Sequence, residues 1–199
     1  MKTIGLIILF ISSFNFAFGQ NIDTIQVFFL YGSKPAHGYR HTEAHLFGGI
    51  HGGHVSIGVD SIVIGFNHVG IHLIPHKKHL AGMYKYEKLK NFVKDTVASK
   101  YTTFKIPLTN EQYDKLKYIL GAYITQSPYD YAFFGMRCAA ATYDVLSQIG
   151  LFPVKSRSGN VLSNFYPKLL RKKMFLLAHE NLFKIISQPG KKSRKWEND

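Results

Sequence analysis

The stretch His54-Val55-Ser56-Ile57-Gly58-Val59-Asp60-Ser61-Ile62-Val63-Ile64-Gly65-Phe66-Asn67 decides the fold of this chain. Apolar residues alternate on both sides of Asp60-Ser61, the period of a half-buried strand. With Asp60-Ser61 as the loop, Val55 faces Phe66, Ile57 faces Ile64 and Val59 faces Ile62, so these apolar pairs share one face. A slip of one residue sets Val55 against Asn67 and Ile57 against Gly65, so the pattern fixes the register. The other face carries His54, Ser56, Gly58 and Gly65, with Asn67 opposite His54. It is small and polar, as suits a surface that something must approach closely. Asp-Ser is not the strongest tight-turn pair, but a four-residue loop gives the same register.

Upstream, residues 24–31 read as a buried strand ended by Gly32-Ser33-Lys34-Pro35. A histidine-dense region follows: nine of the ten histidines lie between His37 and His79. His37, His41 and His45 are spaced to line one helical face, which would suit a metal. Gly38 interrupts the repeat, however, and there is neither a His-Glu-x-x-His pattern nor a helping cysteine. A polar loop or exposed helix is the preferred reading, and no metal or cofactor is assigned. The glycines of residues 48–53 precede a strand rather than a helix, so they are not read as a phosphate loop.

Downstream, residues 69–80 read as a short strand and loop. Residues 84–100 read as a helix or an exposed connection, and residues 102–106 as a strand closed by Pro107. Thr109-Asn110-Glu111-Gln112 matches a capping box. It opens a helix to about Gln126 with Leu116, Ile119, Leu120 and Tyr123 as its core stripe. Ser127-Pro128 stops that helix, and an aromatic connection leads to Gly135. A second helix spans about Cys138 to Ile149, with Gly150 at its C-cap. Residues 154–167 read as loop, residues 167–178 as a basic amphipathic helix, and residues 182–187 as a last strand.

The chain has 199 residues, enough for one domain with its own core. Lys2, an apolar run over residues 4–18 and Ala17-Phe18-Gly19 form a secretory leader pattern. This predicts a signal peptide at 1–19, a single domain at 20–187, a basic, loosely held tail at 188–199, and export to the periplasm or beyond after cleavage near Gly19. The leader is short for a membrane span, no cysteine near the cut offers a lipid anchor, and no later stretch is long enough to cross a membrane. The net charge is +13, falling to +12 once Lys2 leaves with the leader. The positive charge thickens toward the end, at Lys168, Arg171, Lys172, Lys173, Lys191, Lys192, Arg194 and Lys195. In an exported protein this suits an anionic envelope polymer or lipid surface, as for a non-catalytic envelope-binding module, and equally an ordinary solvated basic face. There is no nucleic-acid-binding motif.

Cys138 is the only cysteine, so an exported chain cannot form an internal disulfide. Its predicted place at a helix N-terminus favours the thiolate, and Arg137 adds a positive neighbour. A thiol nucleophile needs a histidine to move the proton and a third group to hold that histidine. His54 at a strand start and Asn67 across the hairpin would supply them. The Cys138 backbone N–H could serve one side of an oxyanion site.

The ordered set Gly53-His54-Val55-Ser56-Ile57-Gly58, Thr109-Asn110-Glu111-Gln112, Pro128-Tyr129-Asp130-Tyr131-Ala132-Phe133-Phe134 and Arg137-Cys138 resembles the circularly permuted branch of the NlpC/P60 papain-like superfamily. That branch contains the YiiX-like and lecithin retinol acyltransferase-like proteins. The resemblance covers about residues 54–150. It implies an α+β fold, an antiparallel β-sheet packed against helices, with the histidine on a strand and the cysteine on a helix. It implies amidase, peptidase or acyltransferase chemistry through a thioester, with Cys138 as nucleophile, His54 as base and Asn67 as third polar group. Arg137 and Ala139 depart from the residues usual beside that cysteine. The third position is often His or Glu, a role His68 would take if the hairpin held a bulge.

Overall fold

The computed structural model describes residues 23–31, 53–69, 72–76 and 82–190. The leader, the set His37, His41 and His45, and residues 191–199 of the tail lie outside the described residues.

The elements in chain order are β1 (Asp23–Leu30), β2 (His54–Val59), β3 (Ile62–His68), β4 (Gly82–Lys88), α1 (Leu89–Asp95), β5 (Tyr101–Leu108), α2 (Asn110–Thr125), α3 (Cys138–Gln148), α4 (Arg157–Ser163), α5 (Pro167–Asn181) and β6 (Lys184–Gln188). The fold is α+β. Six strands form one antiparallel sheet in the order β4-β3-β2-β1-β5-β6, with five helices among the described residues.

The β2–β3 hairpin has the predicted register, with Ile57 opposite Ile64, Val59 opposite Ile62 and Ser56 opposite Gly65. Asp60 takes the turn at φ 51, a left-handed conformation that aspartate tolerates better than most residues. The Tyr113 hydroxyl of α2 donates to its carboxylate, and Lys117 Nζ lies 3.2 Å from the other oxygen. The turn is therefore tied to α2, which compensates for its mediocre turn sequence. Tyr113's hydrogen bond is the largest effect on the Asp60 carboxyl, which is held below its ordinary value.

The two faces of the sheet differ. One carries Val27, Phe29, Val55, Ile57, Phe66, Phe104 and Ile106 against Leu116 and Leu120 of α2, Ala139–Ala141 and Leu146 of α3, and Leu170 and Met174 of α5. Burying each large apolar side chain here contributes about 1.5–3 kcal/mol. The other face carries the smaller cluster Phe28, Val63 and Phe92, the last from α1. Helix α3 is buried almost all round, as expected of a helix whose polar residues do not form a continuous face. The three alanines let it lie close to the strands. It ends in a Schellman motif. Leu151 N–H donates to Leu146 C=O and Gly150 N–H to Ser147 C=O, both at 3.0 Å, with Gly150 at φ +83.

Several boundaries differ from the sequence expectations. Pro107 does not close β5, because pairing with β6 stops at Lys105 while pairing with β1 runs on to Leu108. One side of the strand is then unpaired, and proline's missing N–H breaks no ladder there. The lysine-rich stretch after residue 81 is a strand followed by a short helix. Residues 154–167 contain α4, capped by Ser156, whose side chain accepts from Gly159 N–H at 3.2 Å. The sequence hid it because a glycine sits in its first turn. Helix α5 has the predicted position, but its basic stripe is not all outside. Arg171 is completely buried, with its guanidinium 3.9 Å from the Tyr31 ring centroid.

Candidate active site

At one end of the sheet His54 and Asn67 line a common cavity, and Cys138, which is not part of that lining, comes near the His54 ring. There β2 begins, β3 ends and α3 starts. Arg137 is the N-cap of α3 in an extended conformation and makes no side-chain cap. The first intrahelical bond runs from Ala141 N–H to Arg137 C=O at 2.9 Å. The N–H groups of Cys138, Ala139 and Ala140 precede that bond and have no partner within the helix.

The segment leading to the thiol is fixed from two sides. Tyr129 donates its hydroxyl to Asp144, which also accepts from Gln148 Nε2 at 2.8 Å. On the other side, Asp130 Oδ2 accepts from His76 N–H at 2.6 Å and lies 3.1 Å from His72 Nδ1. The backbone N–H groups of Phe133 and Phe134 donate to His72 C=O and Leu73 C=O at 2.8 and 2.9 Å. Gly135 has no room for a side chain, since a Cβ there would come within 2.7 Å of Pro75. A buried chain of amides holds α3 near its start. Asn160 Nδ2 donates to Ala140 C=O at 2.9 Å, Asn164 Nδ2 to Asn160 Oδ1 at 2.8 Å, and Lys173 Nζ to Asn164 Oδ1 at 2.6 Å.

The Cys138 side chain is buried. The His54 ring and the Val55 backbone N–H are both within hydrogen-bonding reach of it. Burial pushes the thiol up, but the hydrogen bond and charge of His54, the charge of Arg137 and the Val55 N–H outweigh it. The thiol is held below its ordinary value.

His54 extends from the face of β2 that carries Ser56, and its Nε2 lies over Gly65. The ring also forms part of the wall of an open cavity of about 450 Å³, which Ser56, Asn67, Lys85, Glu87 and Asp95 help to line. Burial, then Asp95's charge, raises the Glu87 carboxyl against the opposing influence of His54. Asn67 is on the same face, and its Nδ2 donates to Gly65 C=O at 2.9 Å. The third polar group therefore shares the cavity with His54 while its amide nitrogen is bonded to backbone. His68 is on the opposite face, because β3 pairs with β4 without a bulge through Asn67–Met83 and His68–Gly82. Its ring packs edge-on against Tyr131 at 5.7 Å.

The surroundings of Arg137 and the part played by Tyr131 are not readable from the sequence. Arg137 is 5% exposed. Its guanidinium lies 4.7 Å from the Phe165 ring centroid, 5.4 Å from Phe133 and 5.6 Å from Tyr166. Contacts of this kind contribute about 0.5–2 kcal/mol each. Tyr131 is hydrogen-bonded to Arg137, and its hydroxyl is pushed up to about 12 by burial and by the charge of Cys138, against the pull of Arg137. The sequence shows Arg137 only as a charge beside the thiol. The aromatic run before it was the signal for its box, but Phe165 and Tyr166 come from a distant loop. Among the described residues no group of three or more His, Cys, Asp or Glu side chains is arranged to hold a metal ion. No described helix is long and apolar enough to cross a membrane.

Comparison with known proteins gives no match to a family model, a curated protein or a solved structure.

Proposed function

We propose that the protein is an exported cysteine-dependent hydrolase or acyltransferase of the permuted NlpC/P60 papain-like type, acting on an amide or ester bond of an envelope peptide or lipid. The observation that carries the reading is the Cys138 thiol, at the uncapped start of α3, within hydrogen-bonding reach of the His54 ring.

In this reading His54 takes the thiol proton as the sulfur attacks the substrate carbonyl carbon. The C–N or C–O bond breaks, and the leaving amine or alcohol departs with the proton that His54 held. Water, or an acceptor hydroxyl or amine, then attacks the thioester. It gives its proton to His54, and the sulfur leaves and recovers that proton. The free N–H groups at the start of α3 face charge building on the carbonyl oxygen. Ser56 Oγ and Asn67 Nδ2 share with His54 Nε2 the space above Gly65. The alternative, a non-catalytic envelope-binding module on the same scaffold, finds less support on α5, because Arg171 is buried and Lys173 is bonded to Ser163 C=O and Asn164.

The test is alkylation of purified protein with iodoacetamide at neutral pH. Cys138 should react faster than a free cysteine, and His54→Ala should slow it about tenfold or more, the loss of one charge-assisted hydrogen bond. A thiol that reacts at the free-cysteine rate and ignores His54→Ala would falsify the reading.

A further inference from the structure

The residue before the nucleophile is itself unusual. Arg137 is an interior cation, since a guanidinium stays charged at any ordinary pH. Buried charges are expected to be paired. Arg137 takes part in neither of the ion pairs found among the described residues. Its Nη1 is buried without a hydrogen-bond partner. Three rings lie around the guanidinium, and none of them offers Nη1 an oxygen or nitrogen acceptor. Nη1 belongs to a side chain that acts on the thiol by its charge and bonds to Tyr131, which also senses the thiol.

We propose that Arg137 is the anion anchor of this site and that the substrate carries a carboxylate, bound at Nη1 beside the bond that Cys138 attacks. The inference rests on the cysteine-dependent reading above and narrows its substrate class. A carboxylate fits because it is planar, singly charged and able to accept in the plane of the guanidinium. The rings of Phe133, Phe165 and Tyr166 surround the guanidinium and restrict its movement, so the anchor is in place before substrate arrives. Arg137 acts here as a specificity residue. Its charge on the thiol is a separate effect, which the test must remove.

Two alkylating reagents of nearly the same size separate these effects, because iodoacetate carries a carboxylate and iodoacetamide does not. Both consume the same thiolate, so the ratio of their rates cancels any change in the thiol itself. For wild type the iodoacetate-to-iodoacetamide ratio should exceed that of a free cysteine by about tenfold or more, the worth of one charge-assisted hydrogen bond. In Arg137→Gln the ratio should fall severalfold. The part that survives is due to the charge of His54 and is measured in His54→Ala. A second measurement needs no variant: acetate should slow alkylation of wild type by iodoacetamide, and chloride at equal ionic strength should not. Fast alkylation with an unchanged ratio in Arg137→Gln, or with no protection by acetate, overturns the anchor and leaves the nucleophile standing. Slow alkylation by both reagents in wild type overturns both proposals.

Discussion

Gly65 lies beneath the His54 ring so closely that a Cβ there would come within 2.6 Å of Nε2, and within 2.8 Å of Ser56 Oγ. The backbone at Gly65 is not in the left-handed region, so alanine is compatible with the strand itself, and the His54 ring and the Ser56 hydroxyl are what must move. Gly65→Ala should slow Cys138 alkylation toward the His54→Ala rate while changing unfolding free energy by about 1 kcal/mol or less. Paired alkylation and urea-unfolding measurements check this. A wild-type rate in Gly65→Ala would show that the glycine does not set the ring's position.

The depressed thiol predicts a pH profile. The midpoint for alkylation should lie below the ordinary thiol value of about 8.5. His54→Ala should move it upward, because burial then meets less opposition. The same shift has a consequence for stability. A thiol that loses its proton more easily when folded contributes stability that is fully present above its unfolded value and is lost as pH falls through its folded value. The stability of wild type relative to Cys138→Ala should therefore rise with pH between those two values and then level off. A flat difference across that window would contradict the lowered thiol.

Asn160 links α4 to the start of α3. Asn160→Ala removes the donor to Ala140 C=O and the acceptor of Asn164, leaving buried polar groups unpaired. The expected cost is about 1–3 kcal/mol, read by chemical denaturation. Alkylation of Cys138 should become slower or less uniform, since the chain of amides positions α3. An unchanged unfolding midpoint would mean that other contacts hold this end of the helix.

Arg171 and Lys172 are adjacent in sequence and opposite in environment. Arg171 is fully buried against Tyr31, whereas Lys172 is exposed. Arg171→Ala should destabilise the protein by about 2–4 kcal/mol, through lost packing and a lost cation–ring contact. Lys172→Ala should stay within about 0.5 kcal/mol. If the two variants melt alike, the interior placement of Arg171 is wrong.

The hairpin was legible because its period of two leaves a single register that keeps the apolar residues together, and Asp60-Ser61 marks its turn. The capping box at Thr109 and the glycine after α3 were legible for a similar reason, since each uses a short run of residues with one local solution. The same logic placed Cys138 at a helix start and His54 at a strand start. What escaped depended on distance. The inward turn of Arg171 needs Tyr31 from another element. The box around Arg137 needs Phe165 and Tyr166. Helix α4 owes its place to Asn160 bonding with α3, despite the glycine in its own first turn. Pro107 misled because the rule for proline in a strand depends on which neighbour is missing, and that is a property of the whole sheet.

The division of the site between β2 and α3 also bears on how it is assembled as the chain folds. Strands β2 and β3 are joined by a turn of two residues, Asp60 and Ser61, so they need little chain to be drawn together. Cys138 meets His54 only after β5, α2 and the aromatic segment have been laid down, a pairing of high sequence separation that forms late and slowly. Until then the thiol has neither its histidine nor its helix start and keeps the proton affinity of an ordinary side chain. The lowered proton affinity of Cys138 is thus a property of the assembled fold, set by groups from β2 and from the start of α3 together.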